Sequence, residues 1–262
     1  MGATTLSNEF KEHFNISDVC DSFPGGQKLV YIVIIENQKY ALKIFKGFGK
    51  REERELEFYD KYKHIEYIPK LLKKELWREN YVIIEEYIDG NALSKIKSKY
   101  KSDTAKIYQL LSDIINTMTI LWENKIIHRD LKPDNIIIDK NCKPHIIDFG
   151  IAKDLDHSAY TNSGFQPHSW RYGAPEQLEG IKDRISYRTD FFSLGVIAYE
   201  LYYQKLPFGD DRNEIEKMIR NKKIVFESDS NCMLNSFFDN TLKYHVSERA
   251  GKIGQLLGGL NI

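Results

Sequence analysis

Cysteine is scarce in this chain of 262 residues: Cys20, Cys142 and Cys232 are odd in number and far apart. That excludes a disulfide framework and the paired spacing of a structural zinc site, and it fits a reducing cytoplasm. Net charge is missing too, since 38 Lys and Arg balance 38 Asp and Glu. A balanced sum points to no nucleic-acid partner, although local patches can survive it. No apolar run reaches the roughly 20 residues that cross a bilayer, so no membrane insertion is expected, and the first residues lack the basic-then-apolar order of a signal peptide. Met1-Gly2 opens a myristoylation signal that Leu6 breaks, because Ser or Thr is needed there. Internal repeats and low-complexity linkers are also absent. With 42% hydrophobic and 29% charged residues, the composition is that of a soluble globular protein.

The texture changes once along the chain. After a polar start with a short helical pattern around Phe10 and Phe14, residues up to Tyr87 read mostly as strand. Leu29 to Ile35 is rich in β-branched residues, Glu36-Asn37-Gln38 reads as a turn, and Tyr40 to Phe45 alternates, which predicts a hairpin. Ala41, Lys43 and Phe45 then share one face. A charged helical stretch spans 50–63, and further strands are expected at 71–76 and 81–87. Asp89-Gly90-Asn91 marks the boundary. Beyond it, Ile107, Leu111, Ile114, Ile115, Met118 and Leu121 recur at helical spacing, predicting a helix over 103–124 capped by Ser102 or Asp103. Short strands are expected at 136–138 and 145–147. Asp190 to Tyr203 is apolar nearly all round, the mark of a buried helix.

Between those short strands and the long helix runs His128-Arg129-Asp130-Leu131-Lys132-Pro133-Asp134-Asn135, with Asp148-Phe149-Gly150 shortly after. Such an ordered set supplies a carboxylate for a hydroxyl proton (Asp130), an ammonium for developing charge (Lys132), and hard oxygen ligands for a divalent cation (Asn135, Asp148). With Lys43 in Tyr40-Ala41-Leu42-Lys43, Ala174-Pro175-Glu176, and Asp190-Phe191-Phe192-Ser193-Leu194-Gly195, the chain resembles the protein kinase family from about Ser22 to Leu257. Its texture is closest to compact, eukaryotic-like serine/threonine kinases of bacteria and their viruses.

The resemblance implies an α+β fold of one kinase domain: a small β-rich N-lobe with hinge over 1–89, and a larger α-helical C-lobe over 90–262, with ATP bound in the cleft between them. It implies Mg²⁺ (or Mn²⁺) on Asn135 and Asp148, Lys43 on the ATP phosphates, and Asp130 as base toward a Ser or Thr hydroxyl of a protein substrate. Lys132 marks the serine/threonine branch. A helix carboxylate should hold Lys43; Glu52, Glu53, Glu55 and Glu57 compete, Glu55 best reproduces the family spacing, and Glu52 lies on nearly the same face. Val30 and Ala41 would bound the adenine, and Glu86 and Ile88 would meet its edge. Glu85 then falls where the family usually has an apolar residue or Thr; a register one residue off would turn it to solvent. The phosphate loop is poor in glycine: Gly25 falls on the middle glycine and Gly26 beside it, with Phe23 on the first and Lys28 on the third.

The resemblance also implies a phosphate partner for Arg129 on the segment after Asp148, where Ser158, Tyr160, Thr161 and Ser163 are candidates. Ser169 and Tyr172 would shape the substrate site, Asp190 would anchor the catalytic-loop backbone, and Arg249 would pair with Glu176. Asp134 and Glu200 stand where some relatives receive basic substrate residues. Two other readings stay open. A pseudokinase scaffold is favoured only by the sparse glycine loop. A small-molecule kinase usually carries glycine and histidine where Arg129 and Lys132 stand.

Overall fold

Strand alternation and one tight turn build the first sheet. In a computed structural model, which describes residues 5–24, 28–45, 47, 49–149, 153–154 and 170–258, β2 (Lys28–Ile35) and β3 (Gln38–Phe45) pair antiparallel around Glu36-Asn37. Both turn residues have positive φ, 50° and 64°, the two-residue geometry that matches strand twist. β1 (Ile16–Pro24), β4 (Leu71–Trp77) and β5 (Asn80–Glu86) complete a five-stranded antiparallel sheet in the order β1-β2-β3-β5-β4. With helices α1 (Asn8–His13) and α2 (Lys50–Tyr62), these strands form the compact unit Met1–Asp89.

Directly opposed residues share a face, so the register sorts the side chains of β2, β3 and β5. Tyr31, Leu42 and Ile84 form one cross-strand row and Leu29, Ile44 and Val82 another. That face is the apolar core, closed by Leu6, Phe10, Phe14 and Ile16. Helix α1 can lie there because Ser7 Oγ caps it, accepting from the Phe10 amide at 3.2 Å. The opposite face carries the rows Lys28–Phe45–Tyr81, Val30–Lys43–Ile83 and Ile32–Ala41–Glu85.

The second unit, Gly90–Ile262, is mostly helical. β6 (Gly90–Ala92) pairs with β8 (Ile136–Asp139), and β8 with β9 (Pro144–Ile146). A β-carbon at residue 90 would lie 2.3 Å from the Ile138 carbonyl oxygen, so the approach of β6 requires Gly90. After α3 (Leu93–Ile96) comes α4 (Thr104–Glu123), whose cap is Asp103, accepting from the Lys106 amide at 3.0 Å. β7 (Ile126–Ile127) pairs with β10 (Lys153–Asp154). Helices α5 (Pro175–Leu178), α6 (Tyr187–Tyr203), α7 (Arg212–Asn221), α8 (Asn235–Thr241) and α9 (Ile253–Gly258) follow. Helix α6 is buried without interruption from Thr189 to Leu201. It begins one turn earlier than its apolar run, because Thr189 Oγ1 accepts from the Ser186 amide and closes the first turn. Among the described residues, no helix is long and apolar enough to cross a membrane.

The β8–β9 hairpin is held by one carboxylate. Asp139 Oδ1 accepts from the amides of Asn141 and Lys143 at 2.8 Å, and Oδ2 lies 3.1 Å from His145 Nε2. Burial pushes this carboxyl up, but the Lys143 amide, His145 and the Asn141 amide together hold it below the ordinary 3.8. Because the folded value is the lower one, Asp139 contributes stability above the unfolded value, and this is lost as pH falls through the folded value. Asp139→Asn is therefore expected to lower the urea midpoint at pH 7, with the gap to wild type closing as pH drops below 3.8. A gap independent of pH would contradict this.

Candidate active site

The loop between β7 and β8 brings three expected residues together. Lys132 Nζ donates to Asp130 Oδ2 at 2.7 Å, and Asn135 Nδ2 donates to the same oxygen at 3.1 Å and to the Asp130 carbonyl at 2.9 Å. Pro133 opens a single 3₁₀ turn, closed by the Asn135 amide on the Lys132 carbonyl at 2.9 Å, which turns Asn135 back toward Asp130. The arrangement presents a carboxylate with an ammonium beside it, the pairing that a proton acceptor and a charge neutraliser require.

Its backbone is strained and clamped. Arg129 adopts φ 69°, a left-handed conformation that non-glycine residues seldom take. On one side, Asp190 Oδ1 accepts from the Arg129 amide, while Oδ2 accepts from the His128 amide and from Trp122 Nε1, all at 2.9 Å. Burial raises the carboxyl of Asp190, against the His128, Trp122 and Arg129 contacts that lower it. On the other side, Gln177 Nε2 donates to the Arg129 carbonyl at 2.7 Å while its Oε1 accepts from the Ala174 amide. Neither Gln177 nor Trp122 was singled out by sequence; only the fold brings them to this loop. Gln177 directly follows the Ala-Pro-Glu run, which was the one available signal.

Asp148 is tied to the same loop through the backbone. The Ile147 amide donates to the Asn135 carbonyl at 3.0 Å. His128 accepts the Asp130 amide at Nδ1, so Nε2 is the nitrogen that donates to the Ile147 carbonyl at 3.2 Å. The buried ring of Phe149 sits 4.8 Å from that of His128. Asp148 itself has φ 66°. The donor chemistry fits a hard cation: Asn135 spends its amide nitrogen on Asp130, which orients the carboxamide and leaves Oδ1 as the oxygen for a metal, with Asp148 offering carboxylate oxygens.

The first unit carries the remaining candidates, and here one expectation is corrected. Lys43 Nζ lies 2.5 Å from Glu85 Oε1 and 3.2 Å from Tyr59 Oη. Glu55 is buried as expected for a partner of Lys43, yet its carboxylate lies 3.4 Å from Lys28 Nζ. The ion pair of Lys43 among the described residues is thus with Glu85, because cross-strand register sets Glu85 diagonally beside it. Glu85 does not turn to solvent; it is 3% exposed. Val30 and Ala41 are half-buried on the Lys43 face. The Glu86 amide donates to the Lys70 carbonyl at 2.9 Å, and Ile88 is buried. Gly25, Gly26, Ser158, Tyr160, Thr161, Ser163 and Ser169, and the side chain of Glu52, lie outside the described residues.

A cavity of about 1280 Å³ in the second unit is lined by Asp134, Trp170, Tyr172, Glu200 and Phe208 among others. Glu200 is committed within it: Lys97 pairs with Oε1, and Tyr172 donates to Oε2 at 2.7 Å. Burial, then the Glu200 carboxylate, pushes the Tyr172 phenol up. Glu176 and Arg249 form the expected buried pair, at 2.8 Å.

The sequence profile of the protein kinase domain matches residues 25–257. A probable serine/threonine-protein kinase of Clostridium acetobutylicum is 35% identical over 133 residues, covering 50% of this chain and 20% of that protein. The serine/threonine-protein kinase Genghis Khan of Drosophila melanogaster is 27% identical over 254 residues, 91% of this chain and 15% of that protein. A serine/threonine-protein kinase of Bacillus subtilis is 28% identical over 200 residues, 71% and 30% respectively. The chain thus spans well under half the length of these curated relatives.

Proposed function

The chain belongs to the protein kinase domain family, and from that premise we propose that it transfers the γ-phosphoryl group of ATP to serine and threonine hydroxyls of protein substrates. The observation that carries this reading is the Asp130–Lys132–Asn135 constellation on a backbone clamped by Asp190. In the step, the acceptor oxygen bonds to the γ-phosphorus as the bond to the β–γ bridging oxygen breaks. ADP leaves with that electron pair, and Asp130 takes the hydroxyl proton. Lys132 offsets negative charge on the transferring group. Asn135 and Asp148 would hold Mg²⁺ or Mn²⁺, which neutralises phosphate charge when bound. Lys43 grips the α- and β-phosphates. A reducing cytoplasm as the working compartment is supported by the three free cysteines.

The test is incubation of the purified chain with labelled Mg-ATP and a generic acceptor protein, followed by phosphoamino-acid analysis. Phosphoserine and phosphothreonine are expected. Phosphotyrosine alone, or a nucleotide-induced thermal shift with no transfer, would overturn the proposal, the latter in favour of a binding scaffold. A companion test concerns Gln177. Replacing it with Leu removes the donor that restrains the Arg129 carbonyl, and kcat is expected to fall by about tenfold, with ATP KM and the thermal midpoint nearly unchanged. Equal losses in kcat and stability would mark Gln177 as merely structural.

A further inference from the structure

A carboxylate on the Lys43 face of β5 needs an explanation, since the neighbouring position Ile83 is apolar. The register supplies the geometry. Lys43 lies directly between Val30 and Ile83, and Ala41 directly opposite Glu85. Glu85 is therefore the diagonal neighbour of Lys43 across one strand gap, a separation within reach of long side chains. Their charged atoms meet at 2.5 Å with the side chains 5% and 4% exposed. At that depth an isolated charge is strongly disfavoured, so each group requires the other.

The α2 carboxylate is engaged elsewhere on the same face. Glu55 lies 3.4 Å from Lys28, whose ammonium stands 5.9 Å from the Phe45 ring centroid. Tyr59, one helical turn beyond Glu55, puts its hydroxyl 3.2 Å from Lys43 Nζ. Lys43 thus meets Glu85 while Glu55 meets Lys28. Glu85 Oε2 is buried with no hydrogen-bond partner among the described residues.

We propose that Glu85 is the positioning residue of Lys43, taking the role that spacing had assigned to Glu55. The pair joins neighbouring, hydrogen-bonded strands, so the lysine's charge partner comes from the sheet, while α2 adds the Tyr59 hydroxyl beside the ammonium. Glu55 and Lys28 instead pin α2 to β2. The inference rests on the reading of Lys43 as the phosphate-gripping lysine and deepens it.

The experiment compares Glu85→Gln, Glu85→Asp, Glu55→Gln and Lys43→Met for ATP dissociation constant, kcat/KM and thermal midpoint. Glu85→Gln is expected to lower kcat/KM by about 10²-fold through misplacement of the ammonium. Glu85→Asp should recover part of that loss, and Glu55→Gln should cost at least about tenfold less than Glu85→Gln. In a Lys43→Met background, adding Glu85→Gln should shift ATP affinity by less than about twofold, because its effect runs through the lysine. A Glu55→Gln loss as large as that of Glu85→Gln, or an undiminished Glu85 effect without Lys43, overturns the inference. Near-wild-type transfer by Lys43→Met instead overturns the reading of Lys43 itself, a distinct failure. Should Glu85→Gln not fold, the double variant Lys43→Met/Glu85→Leu carries the test. Recovery of its thermal midpoint over Lys43→Met alone supports the pairing, and a further drop overturns it.

Discussion

Asp130→Ala is expected to cut phosphoryl transfer by about 10²–10⁴-fold, the range that a positioned general base supplies. Nucleotide binding and folding should survive the change. The carboxylate makes its contacts within the loop, to Lys132 and Asn135. The loop backbone is held independently by Asp190 and by the Asn135–Asp130 carbonyl bond. Asp130→Asn separates proton transfer from geometry, since the amide keeps the shape and loses the base. Single-turnover transfer rates, with nucleotide-induced thermal shifts as the folding control, check the expectation. Near-normal transfer by either variant would remove Asp130 from the role of base.

The second large effect concerns stability. Glu176 and Arg249 meet in a bidentate pair at 2.8 Å with side chains 1% and 0% exposed. Glu176 also accepts from Thr189 Oγ1. Arg249 uses its remaining donors on the carbonyls of Lys243, Arg188 and Tyr244. All five guanidinium N–H groups are therefore satisfied, which lysine could not reproduce. Arg249→Met or Glu176→Gln is expected to cost about 3–5 kcal/mol, because the surviving partner stays buried and uncompensated. Against a typical domain stability of about 5–15 kcal/mol, one substitution consumes a large fraction. Urea denaturation measures it. The double variant Glu176→Leu/Arg249→Met should regain part of the loss, and a single-variant loss under about 1 kcal/mol would place the pair among inert surface-type contacts.

Much of the architecture was readable because local rules agree with tertiary need. The hairpin of β2 and β3 follows from alternation and a turn whose residues take positive φ. The buried helix follows from its continuous apolar run, and α4 from its 3.6-residue period and the Asp103 cap. The loop from His128 to Asn135 was equally legible, since Asp130, Lys132 and Asn135 lie within six residues and their side chains contact one another. What escaped were contacts between segments far apart in the chain. Gln177 reaches Arg129 because α5 packs beside that loop, Trp122 reaches Asp190 because α4 packs against α6, and no periodicity encodes such meetings.

The amino-acid order by itself therefore determined which residues stand together locally: Asp130, Lys132 and Asn135 on one loop, and Lys43 on one strand. The partner of that lysine was decided by tertiary structure alone. Helical spacing ranked the α2 glutamates, because i to i+4 geometry is local. The choice between Glu55 and Glu85 depends on how β3 registers against β5, two strands that are adjacent in the sheet but separated along the chain by α2 and β4. A slip of one residue would turn Glu85 to the other face, and only the packed sheet selects the register that brings it to Lys43.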